Sequence, residues 1–107
     1  MEIVVNDTNI LIDLYNSGLL PYCKRLNLEF RTLDVVMNEI EVPDQQKAIQ
    51  SIIDDGTLTV FHLSGAQIGT VLQKVAEYQG VCNLSVADIS VMVYAIENNC
   101  RLLTGDK

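Results

Sequence analysis

The chain has few basic side chains that could bind a polyanion, and little histidine for acid–base or nucleophilic catalysis. Its 107 residues carry 14 Asp and Glu against 7 Lys and Arg, a formal net charge of −7, and a single histidine. This balance argues against binding to nucleic acid through a broad basic surface, but it leaves open a nuclease whose metal ligands are carboxylates. The basic side chains available for contact with an anion are Lys24, Arg25, Arg31, Arg101 and Lys107, although ordinary solvated surface is the simpler interpretation.

The single histidine, His62, has no visible partner for a catalytic triad and no metal-ligand spacing. We interpret it as a packed or surface side chain. Hydrolases of the Ser-His-Asp or Cys-His type are therefore disfavoured.

Cysteine is also scarce, and no long apolar run is present. Cys23, Cys82 and Cys100 are far apart and form no Cys-x-x-Cys pair, which argues against a zinc site or a disulfide framework. We expect buried free thiols in a reducing cytoplasm. No segment approaches the roughly 18 consecutive apolar residues of a membrane helix, and Met1 and Glu2 begin no signal peptide. The sequence thus predicts a soluble cytoplasmic protein without a membrane segment.

Strand-like and helix-like segments alternate along the chain. Residues 3–5 form a β-branched run that ends in a polar turn at residues 6–9, and further strand patterns occupy residues 28–33, 58–63 and 101–104. Between them, apolar residues recur at helical spacing, with capping residues or glycines at the ends. The predicted helices cover residues 10–15, 19–26, 35–40, 43–53, 65–79 and 86–97. This alternation predicts a single domain over residues 1–107 with an α/β fold and a largely parallel sheet.

Two aspartates follow predicted strands. Asp7 comes directly after the first strand, and Asp106 follows the fourth through Thr104 and Gly105. Ligands of open α/β sheets bind at the carboxyl ends of the strands, so the two side chains would converge if these strands are neighbours. The alternative for Asp7 is a helix N-cap, and for Asp106 it is a turn beside a glycine.

Two further acids lie on predicted helices. Asp88 lies in the first turn of a helix that is apolar on nearly all sides, where a charged carboxylate is costly unless it is paired or binds a metal. A capping box with Ser85 explains Asp88 equally well. Glu39 projects from the partly apolar side of a short helix. It also fits a solvated surface residue, and Glu41 would serve as well in its place.

Together these carboxylates are the parts of an all-oxygen site for a hard divalent cation such as Mg²⁺. Clustered carboxylates repel one another by roughly 4 kcal/mol per pair at a separation of ~4 Å and an effective dielectric of about 20. Such a cluster therefore either binds a cation or becomes partly protonated.

Four segments of the chain resemble the PIN domain, the fold of many metal-dependent ribonucleases and of VapC-type toxins. These segments are residues 3–11, 38–40, 84–88 and 102–107, which follow the order and spacing of that family. The acids of the family fall on Asp7, Glu39, Asp88 and Asp106, and the polar residues that support them match Thr8, Asn9 and Thr104. The resemblance implies a three-layer α/β/α fold with strand order 3-2-1-4-5, of which four strands are visible.

The same resemblance implies hydrolysis of RNA phosphodiester bonds with one or two Mg²⁺ or Mn²⁺ ions. Asp7 and Asp106 would bind the metal directly, and Asp88 would bind it directly or through water. Glu39 would position or deprotonate the nucleophile. Among small members of the family the toxin of a toxin–antitoxin pair is common, which implies an antitoxin as a partner besides the RNA substrate.

The resemblance departs from the family at the end of the chain. PIN domains usually continue past the fourth acid into a helix and a fifth strand, whereas this sequence ends one residue after Asp106. We therefore expect a C-terminal element, including the fifth edge strand, to be lacking. An uncovered edge strand would favour a homodimer or a larger oligomer.

Two other functions remain open. A catalytically inactive PIN-like module for binding or oligomerisation would keep the fold without affinity for metal ions. A phosphotransfer domain also places an aspartate after a strand, but the usual companion acid is absent, because Asn6 precedes Asp7 and Asn9 follows it.

Overall fold

The structure, a computed structural model, describes residues 2–78 and 84–104. Its strands are β1 (Glu2–Asn6), β2 (Leu28–Leu33), β3 (Leu58–Phe61) and β4 (Arg101–Leu103). Its α-helices are α1 (Thr8–Asn16), α2 (Asp34–Asn38), α3 (Pro43–Asp54), α4 (Gly65–Tyr78) and α5 (Val86–Glu97), and a 3₁₀ helix covers Leu20–Arg25. Strands and helices therefore alternate as the sequence predicted.

Some predicted features fall outside the described ranges. They are the helix end near Gln79 and Gly80, the thiol of Cys82, and the candidate acid Asp106 with its neighbours Gly105 and Lys107.

The four strands form one parallel sheet in the order β3-β2-β1-β4. In this sheet Val4 of β1 lies opposite Phe30 of β2, and Val5 lies opposite Leu102 of β4. The α/β fold is thus confirmed, and so is the predicted contact between the first and fourth strands. Because all strands of a parallel sheet point the same way, the segments that follow β1, β2 and β4 emerge at one edge.

Two groups of helices flank the sheet. Helix α5 packs with α4 and α2 and reaches both central strands, and the ring of Tyr94 lies 5.8 Å from that of Phe61 on β3. The other group consists of α1, α3 and the 3₁₀ helix, which pack against one another. This arrangement brings the first turns of α1 and α5 and the end of α2 to the carboxyl edge of the sheet.

The core joins the central strands to helices of both groups. Leu11 of α1, Ile49 of α3 and Val91 of α5 are each at most 1% exposed. Helix α5 is largely buried, as predicted, but Val86 and Ile96 are 52% and 76% exposed. Apolar side chains of α5 are therefore exposed at both ends of the helix, beyond its buried middle part.

Several element boundaries differ from the sequence prediction. Strand β1 continues through Asn6, which pairs with Leu103 and is fully buried, where the sequence had indicated a turn. Helix α2 includes Asp34, and its N-cap is Leu33. Strand β3 ends at Phe61, earlier than predicted. Pairing between strands determines where these elements begin and end, and this pairing cannot be predicted from the local sequence.

Two expectations concern thiols and membrane segments. Cys23 is a buried free thiol, as predicted, and its burial raises the pKa of the thiol. Cys100 is a free thiol too but is only half-buried, contrary to the prediction, because it lies just before the edge strand β4. Among the helices of residues 2–78 and 84–104, none combines the length and the apolar character needed to cross a membrane.

Candidate active site

Asp7 leaves the end of β1 and begins α1. Its backbone N–H donates to the carbonyl of Leu103 on β4 at 3.2 Å, and its Oδ1 accepts from the N–H of Ile10 at 2.8 Å. The residue is 4% exposed. The N-cap interpretation of Asp7 is therefore confirmed.

The residue before Asp7 ties the end of β1 to β2. The buried Asn6 side chain donates from Nδ2 to the carbonyl of Arg31 at 3.1 Å. The backbone carbonyl of Asn6 accepts from the hydroxyl of Thr32 at 2.8 Å. These bonds determine where Asp7 leaves the sheet, so the position of its carboxylate depends on strand pairing.

Glu39 follows α2 instead of lying on it as predicted, and it is exposed, in agreement with the surface alternative. A hydroxyl group of α1 holds its side chain. Glu39 is the C-cap of α2, and its Oε1 accepts from the Thr8 hydroxyl at 2.7 Å. This bond joins the first turn of α1 to the end of α2. It also distinguishes Glu39 from Glu41, between which the sequence could not choose.

Asp88 completes a capping box at the start of α5. Its N–H donates to Oγ of Ser85 at 3.0 Å, and its Oδ2 accepts from the N–H of Ser85 at 3.1 Å. The predicted box is therefore confirmed. Asp88 is nevertheless only partly buried, so its carboxylate also contributes to the surface.

Glu39 and Asp88 line a common cleft with a volume of about 640 Å³. The described residues that line it are Thr8, Asn9, Ile12, Asn38, Glu39, Glu41, Leu84, Ser85 and Asp88. Three of these side chains are carboxylates, and none of them is basic. A concave surface with one sign of charge concentrates the electrostatic potential, which favours a cation here.

The donor chemistry of the cleft suits a hard divalent cation. Carboxylate, hydroxyl and amide oxygens are the ligands that Mg²⁺ and Mn²⁺ prefer. Within the described part of the chain, however, no three Asp, Glu, His or Cys side chains are grouped closely enough to hold a metal ion. Asp106, the fourth predicted acid, lies outside that part. Asp7 is not among the described residues that line the cleft, so the role of these acids as metal ligands stays a prediction.

Two further predicted supporting residues lie at the same edge of the sheet. Asn9 lines the cleft, and Thr104 is exposed just after β4. Of the three polar residues expected to support the acids, Thr8 thus makes a hydrogen bond to one of them. The support of the acids by Asn9 and Thr104 stays a prediction.

Two of the arginines named as possible anion contacts, Arg31 and Arg101, are engaged elsewhere. Arg31 donates to the hydroxyl of Tyr94 at 2.9 Å and forms an ion pair with Glu29. It therefore joins β2 to α5, which makes it unsuited to substrate contact. Arg101 pairs with Glu2 at 3.0 Å. Lys24 and Arg25 are exposed on the 3₁₀ helix, and Lys107 lies outside the described residues.

His62 is a surface side chain, in agreement with the sequence interpretation. It is 77% exposed, and its Nδ1 lies 3.0 Å from Oδ2 of Asp34. It is not among the described residues that line the cleft.

Sequence reasoning missed three residues of the cleft: Ile12, Asn38 and Leu84. Ile12 lies one helical turn after Thr8, so the two share a face of α1. Asn38 and Leu84 are chain neighbours of Glu39 and Ser85. Each of the three lies next to a predicted residue in the chain or one helical turn away from one. This spacing is the signal that could have identified them.

We expect substitution of Asp7 to separate its capping role from its charge. Asp7→Ala removes the acceptor for the Ile10 N–H and should lower the free energy of unfolding by about 1 kcal/mol. Asp7→Asn keeps an oxygen acceptor and should cost clearly less, because Asn and Asp are similar N-caps. Urea denaturation of both variants measures the difference. Equal destabilisation would contradict the capping role.

Comparison with known families agrees with this arrangement. A family model described as a PIN domain matches residues 3–107, nearly the whole chain. A comparison with curated proteins found no similar protein. PIN domains are in general nucleases that use divalent metal ions. The extent of the match shows that this chain belongs to the PIN domain family.

Proposed function

We propose that this protein is a metal-dependent endoribonuclease that hydrolyses RNA phosphodiester bonds in the cleft beside the end of β1. The observation that carries the proposal is the hydrogen bond from Thr8 to Glu39, which fixes one carboxylate in the cleft that Asp88 also lines. Membership of the PIN family supports nuclease chemistry. Two of the four acids that the resemblance assigns, Glu39 and Asp88, line this cleft.

The proposed ligands of the metal are Asp7, Asp88 and Asp106. A bound divalent ion would offset the repulsion among these carboxylates, neutralise charge on the phosphate and make water a better nucleophile. Glu39 orients the attacking water and accepts its proton, while Thr8 holds Oε1 in place. The capping box holds the Asp88 carboxylate, so that little reorganisation is needed during the reaction.

The charge of the cleft makes substrate binding depend on the metal. The described lining residues include carboxylates but no basic side chain. An RNA phosphate entering this cleft would be repelled unless a cation compensates. We therefore propose that RNA binding at this site, and not only its cleavage, requires a divalent ion.

The test is cleavage of a fluorescently labelled single-stranded RNA. Cleavage is expected with Mg²⁺ or Mn²⁺ and not with EDTA. Asp7→Asn should abolish it, because this variant keeps the cap but loses the charge. Calorimetric titration with Mn²⁺ measures metal binding separately.

The outcomes separate the three functions that the sequence left open. A folded protein without affinity for Mn²⁺ would favour the inactive binding module. A stable phosphoaspartate after treatment with a small phosphodonor would favour the phosphotransfer domain. Metal-dependent cleavage that survives in Asp7→Asn would contradict the proposed site.

Narrower features stay predictions. They are the role of a toxin with an antitoxin partner, the cytoplasmic location and the formation of a homodimer. Strand β4 lies at the edge of the described sheet, where a strand from another chain would pair.

A further inference from the structure

The cleft has an apolar wall that the proposed hydrolysis does not use. Ile12 and Leu84 line it together with the carboxylates, and Leu84 is 42% exposed. Ile12 lies one turn after Thr8 on α1, and Leu84 directly precedes Ser85, the N-cap of α5. The wall is therefore part of the same cleft as Glu39 and Asp88. Exposed apolar side chains are common on protein surfaces, but here the exposed Leu84 and the half-buried Ile12 line a polar cleft.

Two amide side chains accompany the apolar wall. Asn9 and Asn38 line the same cleft. An amide carries both N–H donors and a carbonyl acceptor, so it can complement the polar edge of a nucleobase. The cleft thus offers three kinds of surface, which are charged oxygens, amides and aliphatic carbon. The charged oxygens suit a phosphate with its cation. The amides suit the edge of a base, and the aliphatic carbon suits its face.

The charges of the cleft favour contact with a base over contact with the backbone. None of the described lining residues is Lys, Arg or His. A phosphate that does not touch the metal therefore finds no basic partner among them. A nucleobase carries no net charge, so it can approach the carboxylates without the electrostatic cost that a second phosphate would incur.

We propose that Ile12 and Leu84 form a subsite for an unpaired nucleobase next to the scissile phosphate, with Asn9 and Asn38 contacting its edge. This inference rests on the proposed ribonuclease function and narrows its substrate. The base must be unpaired and unstacked, because only then are its face and its edge available to side chains. The subsite determines specificity and takes no part in the chemical step.

The test is a cycle of two changes, one in the protein and one in the RNA. Wild type and Leu84→Ala are compared on matched RNAs, one of which lacks a single base beside the mapped cleavage position. For the wild type, removal of the base should raise KM roughly fivefold or more, with little change in kcat. Leu84→Ala should raise KM for the intact RNA similarly. In that variant, removal of the base should raise KM little further, because the two changes remove the same contact.

The matched control is Leu72→Ala. Leu72 lies on α4, is 62% exposed and is not among the described residues of the cleft. This variant should leave KM unchanged for both RNAs. Leu84→Met, which keeps an apolar side chain of similar size, should restore most of the affinity lost in Leu84→Ala. Circular dichroism of each variant tests whether the fold is retained.

The outcomes distinguish the two proposals. If the wild type cleaves no RNA under any metal condition, the ribonuclease function itself is refuted. If the wild type cleaves both RNAs with the same KM, or if the effects of Leu84→Ala and base removal are independent, the subsite alone is refuted. Loss of activity in Leu84→Ala that Leu84→Met does not rescue would also refute it.

Discussion

Asp88→Asn should abolish RNA cleavage while the protein stays folded. The asparagine keeps an oxygen that can accept from the N–H of Ser85, so the capping box can survive, but the negative charge is lost. The expected fall in kcat/KM exceeds the roughly 10–100-fold that loss of a residue supporting a ligand costs at a metal site. Steady-state cleavage assays measure this fall, and Mn²⁺ titration should show weaker binding.

Ser85→Ala is the complementary variant. It removes the hydroxyl that accepts from the N–H of Asp88 and keeps the carboxylate. Loss of an N-cap of this type costs about 1 kcal/mol, so the thermal midpoint should fall more in Ser85→Ala than in Asp88→Asn. Mn²⁺ affinity should follow the opposite order. If Asp88 serves only as a helix cap, Asp88→Asn will retain both activity and metal affinity.

Glu39→Gln should reduce kcat by about 100-fold or more, the lower range for loss of a general base. Glu41→Gln should change kcat by less than about threefold. Each variant removes one carboxylate from the same cleft, so a general effect of negative charge would appear in both. Of the two acids, Glu39 receives the Thr8 hydroxyl. Equal losses in the two variants would contradict a specific role for Glu39.

The hydroxyl of Thr8 provides a second measurement at the same position. Thr8→Val has nearly the same shape but cannot donate to Oε1 of Glu39, so kcat should fall by roughly tenfold. Thr8→Ser keeps the donor and should retain most of the activity. In a cycle with Glu39→Gln, Thr8→Val should have little further effect, because its contribution acts through Glu39.

The proposed function gives two roles to each of the aspartates at the starts of α1 and α5. Asp7 and Asp88 satisfy backbone N–H groups there, and both are also proposed ligands of a cation. A carboxylate has several acceptor sites, so a bond accepted from a backbone N–H does not by itself exclude contact with a cation. Its use as a cap also restricts its rotamers, which lowers the entropy lost when a metal binds. Capping and metal binding are therefore compatible explanations for these two residues.

The secondary structure was predicted best where its signals are local. Helix α5 begins at Val86 and ends at Glu97, as predicted, because Ser85 and Asp88 form the capping box within a few residues of each other. Helix α3 begins at Pro43, whose fixed φ suits the first helical position. Asn6 was misread as part of a turn, because its place in β1 depends on pairing with Leu103, which is distant in sequence.

The sequence by itself determined the alternation of strands and helices and the positions of acids after strands and in first helical turns. Periodicity and capping act over a few neighbouring residues, so one chain suffices to reveal them. The tertiary structure decided that Glu39 and not Glu41 receives the Thr8 hydroxyl, across 31 residues, and that Arg31 bonds to Tyr94, across 63 residues. It also brought Ile12 and Leu84 into one cleft with Asp88. Such contacts arise from the packing of whole elements, and no local pattern encodes them.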